Sequence, residues 1–162
     1  MIPFMKAYTS HSLDETRAIA AEWLKLISEK YAGHDEALIV GLSGHLGAGK
    51  TAFVKAVAKE LGVAEEVTSP TFVLMKIYGI DQAKSGSSEG TVKGPWCRLV
   101  HIDAYRLEKR EELEALRFEE LVADKANLIL IEWPENAGLK DFEPLAKLDL
   151  EIKDGHHSIK VQ

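Results

Sequence analysis

At 162 residues, with 46% hydrophobic and 28% charged side chains, the chain has the size and make-up of one globular domain with its own core. A formal net charge of −6 with no basic cluster argues against an unaided grip on nucleic acid, and no apolar run approaches the ~20 residues that span a bilayer. Cys97 is the one cysteine, so no internal disulfide can form, and Met1 to Ser10 has no signal-peptide pattern; a cytoplasmic setting is expected, with Cys97 as a small buried hydrophobe.

In chain order, Thr9 to Gly33 reads as a capped helix. Ser12-Leu13-Asp14-Glu15 fits a capping box, and Ile19, Trp23, Leu26 and Ile27 follow at helical spacing. Ala37 to Leu42 is a short apolar run before glycine-rich sequence, the signature of a buried strand. A second helix is predicted from Lys50 to Leu61, stopped by Gly62. Phe72 to Tyr78 is expected as a strand, and residues 79–94, rich in Gly, Ser and Lys, as a flexible surface loop.

Leu99 to Ile102 and Leu128 to Ile131 read as further strands, and Lys109 to Val122 between them as one helix or two short ones. Leu148, Leu150 and Ile152, then Asp154-Gly155, then Ile159 and Val161 spell a hairpin. The whole predicts an α/β fold: a mostly parallel sheet flanked by helices, closed by an antiparallel C-terminal hairpin, with no sign of a second domain.

Gly44-His45-Leu46-Gly47-Ala48-Gly49-Lys50-Thr51 carries the full G-x-x-x-x-G-K-[ST] pattern of a phosphate loop. Its glycines let backbone N–H groups curl around an anion. Lys50 sets a positive charge against the β and γ phosphates, the Thr51 hydroxyl suits magnesium, and the helix that follows points its positive end at the ligand. Chance would produce these four fixed positions in only roughly half a percent of such chains, and the predicted strand before and helix after supply the required context. The expected ATP contacts run through Gly44, His45, Leu46, Gly47, Ala48, Gly49, Lys50, Thr51 and Ala52.

Such a site needs a carboxylate to hold magnesium or orient water. Two predicted strands end in one: Asp103 after Leu99 to Ile102, and Glu132 after Leu128 to Ile131. Ligands in open α/β sheets lie beyond these strand ends, so Lys50, Asp103 and Glu132 form the expected catalytic set. Ser69-Pro70-Thr71 fits turn chemistry and contact with a γ-phosphate equally well. His101 reads as a packed core histidine, and His156 and His157 as solvated.

Taken together, Gly44 to Thr51, Ser69-Pro70-Thr71-Phe72, His101-Ile102-Asp103-Ala104-Tyr105-Arg106-Leu107, Glu111-Glu112-Leu113 and Glu132-Trp133-Pro134 resemble the TsaE (YjeE) family of small bacterial ATPases in tRNA threonylcarbamoyladenosine synthesis. The resemblance runs from about Leu13 to the hairpin. It implies a P-loop NTPase fold, weak intrinsic ATPase activity with Mg2+, and work with TsaB and TsaD homologues, with tRNA met only through that complex and no membrane. It also implies that Thr51 and Glu132 serve the metal, that Asp103 lies at the nucleotide as a further candidate for the metal, that Ser69 to Thr71 is switch-like, and that Thr16 lies near the base. His45 departs from the resemblance, since the family usually has an acid there. Arg106, three residues after Asp103 and just before the Lys109 to Val122 stretch, is the candidate for coupling nucleotide state to a partner.

Two other functions fit the same loop: a small-molecule kinase, and a nucleotide-dependent docking module. Residues 79–94, the candidate lid, hold Lys84 and Lys93 but no arginine, which weighs against a kinase.

Overall fold

The computed structural model describes residues 5–70, 72–81, 92–139 and 145–162. Along the chain come β1 (Lys6–Ser10), α1 (Leu13–Lys30), β2 (Leu38–Ser43), α2 (Lys50–Leu61), β3 (Met75–Gly79), β4 (Arg98–Asp103), α3 (Glu111–Glu114) and α4 (Phe118–Val122). β5 (Asn127–Glu132), a 3-10 turn (Pro134–Ala137), β6 (Leu145–Lys153) and β7 (His156–Val161) complete it. The strands form one sheet in the order β1-β7-β6-β2-β5-β4-β3. Its centre, β6-β2-β5-β4, is parallel, and the antiparallel pairs lie toward the edges. This is the expected α/β architecture, with the Asp154-Gly155 hairpin in place.

β2 and β5 are near-continuous apolar runs because both faces are covered, whereas β6 alternates apolar with charged residues. On one face Leu38, Val40, Leu42, Leu99, Leu128 and Leu130 pack under α1 and α2, against Trp23, Phe53 and Leu61. On the other, Ile39, Val100, Ile102, Ile129 and Ile131 meet Leu113, Phe118 and Leu139. Each such side chain contributes about 1.5–3 kcal/mol by leaving water. Register then does the functional work. β2 pairs with β5 so that Leu42 opposes Glu132, and β5 pairs with β4 so that Glu132 opposes Asp103. The loop after β2 and both strand-end acids therefore emerge at one edge.

The helix caps follow the sequence closely. The Ser12 hydroxyl accepts from the Glu15 N–H at 3.1 Å, while Glu15 reaches one residue beyond the expected box to the His11 N–H at 2.6 Å. α2 ends at Gly62, whose φ of 85° suits a residue without a Cβ.

Several expectations are corrected. The segment read as helix from Thr9 starts as a strand: Lys6–Ser10 pairs antiparallel with β7, and α1 begins only after the Ser12 cap. A five-residue edge strand has no strong local signal, and its partner lies at the far end of the chain. The strand expected from Phe72 starts at Met75. The Pro70 carbonyl accepts from the N–H of Val73 and Leu74, turning the chain, and Leu74 sits at φ 66°. The strand also runs on to Gly79, and Ile80 is buried and bridged to Val63, so the expected loop 79–94 begins later; residues 82–91 of it lie outside the described residues. Of the two forms expected for 109–122, the structure has the second, two short helices broken at Arg117 with φ 58°. Cys97 is exposed rather than buried, because it sits just before β4 rather than within it.

Candidate nucleotide-binding site

The loop between β2 and α2 wraps back onto the C-terminal hairpin. At Gly44, φ is 150°, and a Cβ there would lie 2.2 Å from the Leu150 carbonyl oxygen of β6, so only glycine fits. Gly49, the α2 N-cap, has φ 102° and packs against the His157 ring. His157 was expected in solvent; instead it is half-buried, with Nδ1 3.0 Å from the Ala48 carbonyl. The β6–β7 pairing folds it over the loop, which spacing could not reveal. His156 is half-buried too, its ring 4.5 Å from that of His11.

Lys50 is 6% exposed and turned onto its own loop. Its Nζ donates to the Gly44 carbonyl at 2.5 Å and the His45 carbonyl at 2.9 Å, and lies 4.4 Å from the centre of the Trp133 ring. Burial pushes the Lys50 ammonium below its ordinary pKa, and Glu132, Asp103 and Glu135 pull it partly back. The His45 side chain is exposed, and only its carbonyl enters this network.

Thr51 Oγ1 donates to Glu132 Oε1 at 2.9 Å, tying the start of α2 to the end of β5. The other carboxylate oxygen of Glu132 lies 3.7 Å from His101 Nε2. Burial alone would raise the Glu132 carboxyl, but His101, Thr51 and Lys50 together hold it below the usual carboxylate range. Asp103, 5% exposed, accepts from the Tyr105 N–H at 3.0 Å. Thr51, Glu132 and Asp103 thus offer hard oxygens at one cleft of about 360 Å³, together with Lys50, Ser69, Tyr105 and Trp133. Among the described residues no group of three or more His, Cys, Asp or Glu could cage a metal by itself. The donor set instead suits magnesium, which uses one or two protein oxygens and takes the rest from water and phosphate.

On the other side of the loop, Thr16, Ala48, Gly49, Ala52 and His157 line a second hollow of about 230 Å³. Thr16 is buried, its hydroxyl 2.7 Å from that of Ser10 and donating to the Ser12 carbonyl. Gly49 and Ala52 border both hollows, so Leu46 to Ala52, Thr16 and the two acids are brought into one region, while Gly44 and His45 line neither hollow. Ser69 reaches it, Pro70 is buried behind, and Thr71 lies outside the described residues. Arg106 stands apart from the cleft, its guanidinium 5.0 Å from the Phe72 ring centre. A larger cavity of about 1070 Å³, lined by Tyr31, Trp96 and Lys125 among others, lies at the start of β2, and no expected site residue borders it.

Sequence reasoning assigned no role to Trp133 or Tyr105, although both fall in quoted motifs; their rings are 5.1 Å apart at the cleft. That His101 shares a strand face with Asp103 was readable from their spacing of two, but its approach to Glu132 depends on the β4–β5 register.

This sheet, with a glycine-rich loop running into α2 and acids at the neighbouring strand ends, defines a P-loop-type α/β protein. The crystal structure of YdiB from Bacillus subtilis superposes with a TM-score of 0.64 at 23% identity, over 99% of this chain and 86% of that one, and has the same fold. The family profile described as Threonylcarbamoyl adenosine biosynthesis protein TsaE matches residues 10–161, and the chain belongs to the TsaE family.

Among its relatives, the tRNA threonylcarbamoyladenosine biosynthesis protein TsaE of Rickettsia prowazekii is 35% identical over 150 residues, 92% of this chain and 88% of its own. The protein of the same description from Treponema pallidum is 34% identical over 128 residues, 78% of this chain and 83% of its own. The family places the chain in tRNA threonylcarbamoyladenosine biosynthesis. Among the described residues no helix is long and apolar enough to cross a membrane.

Proposed function

We propose that this chain binds ATP with magnesium at Gly44 to Thr51 and hydrolyses it slowly, in support of TsaB and TsaD homologues that modify tRNA in the cytoplasm. One observation carries the reading: the 2.9 Å bond from Thr51 to Glu132 at the head of α2, beside Lys50 and within one cleft with Asp103. The acidic charge supports contact with tRNA through the partners rather than directly.

Magnesium, when bound, would neutralise charge on the β and γ phosphates. Thr51 and Glu132 would hold it. Lys50 exchanges its two carbonyl acceptors for phosphate oxygens, a stronger, charge-assisted partnership. Backbone N–H groups of the loop and the first turn of α2 take the remaining phosphate charge. Asp103 orients the attacking water, and Trp133 and Tyr105 wall the cleft. Thr16 and His157 border the hollow on the nucleoside side.

The test is phosphate release from magnesium ATP, alone and with TsaB–TsaD. Slow turnover alone that rises with the complex supports the proposal. Phosphate transfer to a small acceptor would instead identify a kinase, and tight binding without turnover a docking module.

A further inference from the structure

His101 is wholly buried, yet among the described residues neither ring nitrogen has a hydrogen-bond partner within normal reach. An unmet polar group in a core costs about 1–3 kcal/mol, so a histidine kept there calls for a reason beyond packing. Leu99, two residues earlier on the same strand face, is simply core, and Asp103, two residues later, is at the cleft. His101 opposes Leu130 on β5, which sets it one pleat beneath the Asp103–Glu132 pair. Its Nε2 is 3.7 Å from Glu132 Oε2, while Thr51 already holds Oε1.

We propose that His101 positions Glu132 from inside the sheet, its Nε2–H donating to Oε2 in the nucleotide-loaded site so that Oε1 stays with Thr51 at the cleft. The proposal rests on the magnesium–ATP reading above and deepens it. A carboxylate held at one oxygen can rotate about its last bond; held at both, its plane is set. A shift of about 0.8 Å closes the gap to ordinary hydrogen-bond length. Because a carboxylate only accepts, the bond also places the imidazole proton on Nε2. Partners of this kind, one step behind a metal ligand, typically govern 10–100-fold in metal affinity or activity.

Two substitutions of equal polarity but different reach test this. The His101→Gln amide extends to the Nε2 position; the His101→Asn amide stops near the Nδ1 position, short of Glu132. ATP affinity is measured by calorimetry across a magnesium titration and again with chelator, with a thermal melt of each variant as a folding control. His101→Asn should raise the magnesium concentration for half-maximal ATP affinity about 10–100-fold, with magnesium-free ATP affinity within about twofold of wild type, and His101→Gln should restore most of the loss. His101→Leu, which removes every donor, should match His101→Asn. Equal losses with and without magnesium, or an unchanged magnesium requirement, overturn the role of His101 alone. A wild-type chain whose ATP affinity ignores magnesium overturns the underlying reading, and the inference with it.

Discussion

Asp103 and Glu132 stand side by side as register partners at the last positions of two parallel strands, 5% and 2% exposed. Two acids that close, with little water between them, repel each other unless a cation or donor intervenes. Glu132 has Thr51 and nearby Lys50 and His101; Asp103 has the Tyr105 N–H. A cation at the cleft, as proposed above, would relieve the remaining repulsion.

Replacing Asp103 by Ala should lower turnover about 10²–10⁴-fold, the range for losing a positioned acid–base or water-orienting group, with ATP affinity changed only a few-fold. Glu132→Ala should lower turnover alike and also raise the magnesium concentration that the reaction needs. Steady-state kinetics in the TsaB–TsaD assembly decide: parental rates in both variants would remove the catalytic assignment.

Lys50→Ala should weaken ATP binding about 10–100-fold, as expected for losing a charged hydrogen bond of about 1.5–3 kcal/mol. Calorimetric titration measures it, and an affinity equal to wild type would mean that Lys50 stays on the Gly44 and His45 carbonyls when nucleotide binds.

Gly44→Ala should destabilise the fold as well as the site. The new methyl would meet the Leu150 carbonyl at 2.2 Å, backbone against side chain at a positive φ, so the loop or β6 must move. A loss of about 1–3 kcal/mol is expected, read as a lower melting temperature. An unchanged melt would show that the loop relaxes freely from the hairpin.

Glu132 should also leave a mark on acid stability. Its folded carboxyl lies below the ordinary value of 4.5, so the stability it contributes is present above that value and lost as pH falls through the folded one. Between about pH 6 and pH 3, wild type should therefore lose more melting temperature than Glu132→Gln, which has no such proton to gain. Parallel curves would contradict a depressed Glu132.

Arg106→Ala should keep stability and ATP affinity but lose ATP-dependent capture by TsaB–TsaD. The contact of Arg106 with Phe72 is exposed, worth only about 0.5–1 kcal/mol, too little for a structural role. Yet it joins the segment after Asp103 to the segment after Ser69-Pro70. Pull-downs with ATP, with ADP and without nucleotide test this; capture that ignores the nucleotide would remove the switching idea.

Local chemistry alone determined much of this protein. The phosphate loop, the Ser12 cap, the Gly62 stop, the Asp154-Gly155 turn and the apolar strands ending in Asp103 and Glu132 are each written within a few neighbouring residues. Steric and hydrogen-bonding rules at that range act the same way in any context, so they can be read without a structure. Tertiary structure decided what depends on residues far apart in the chain. β1 exists because β7, some 150 residues later, offers it an edge. His157 covers the phosphate loop because β6 folds back beside β2. Lys50 meets Trp133, and His101 meets Glu132, only through the registers that align β2, β5 and β4. Pattern and spacing carry one-dimensional information, whereas register, crossing strands and the burial of a particular polar atom are set by the packing of the whole sheet.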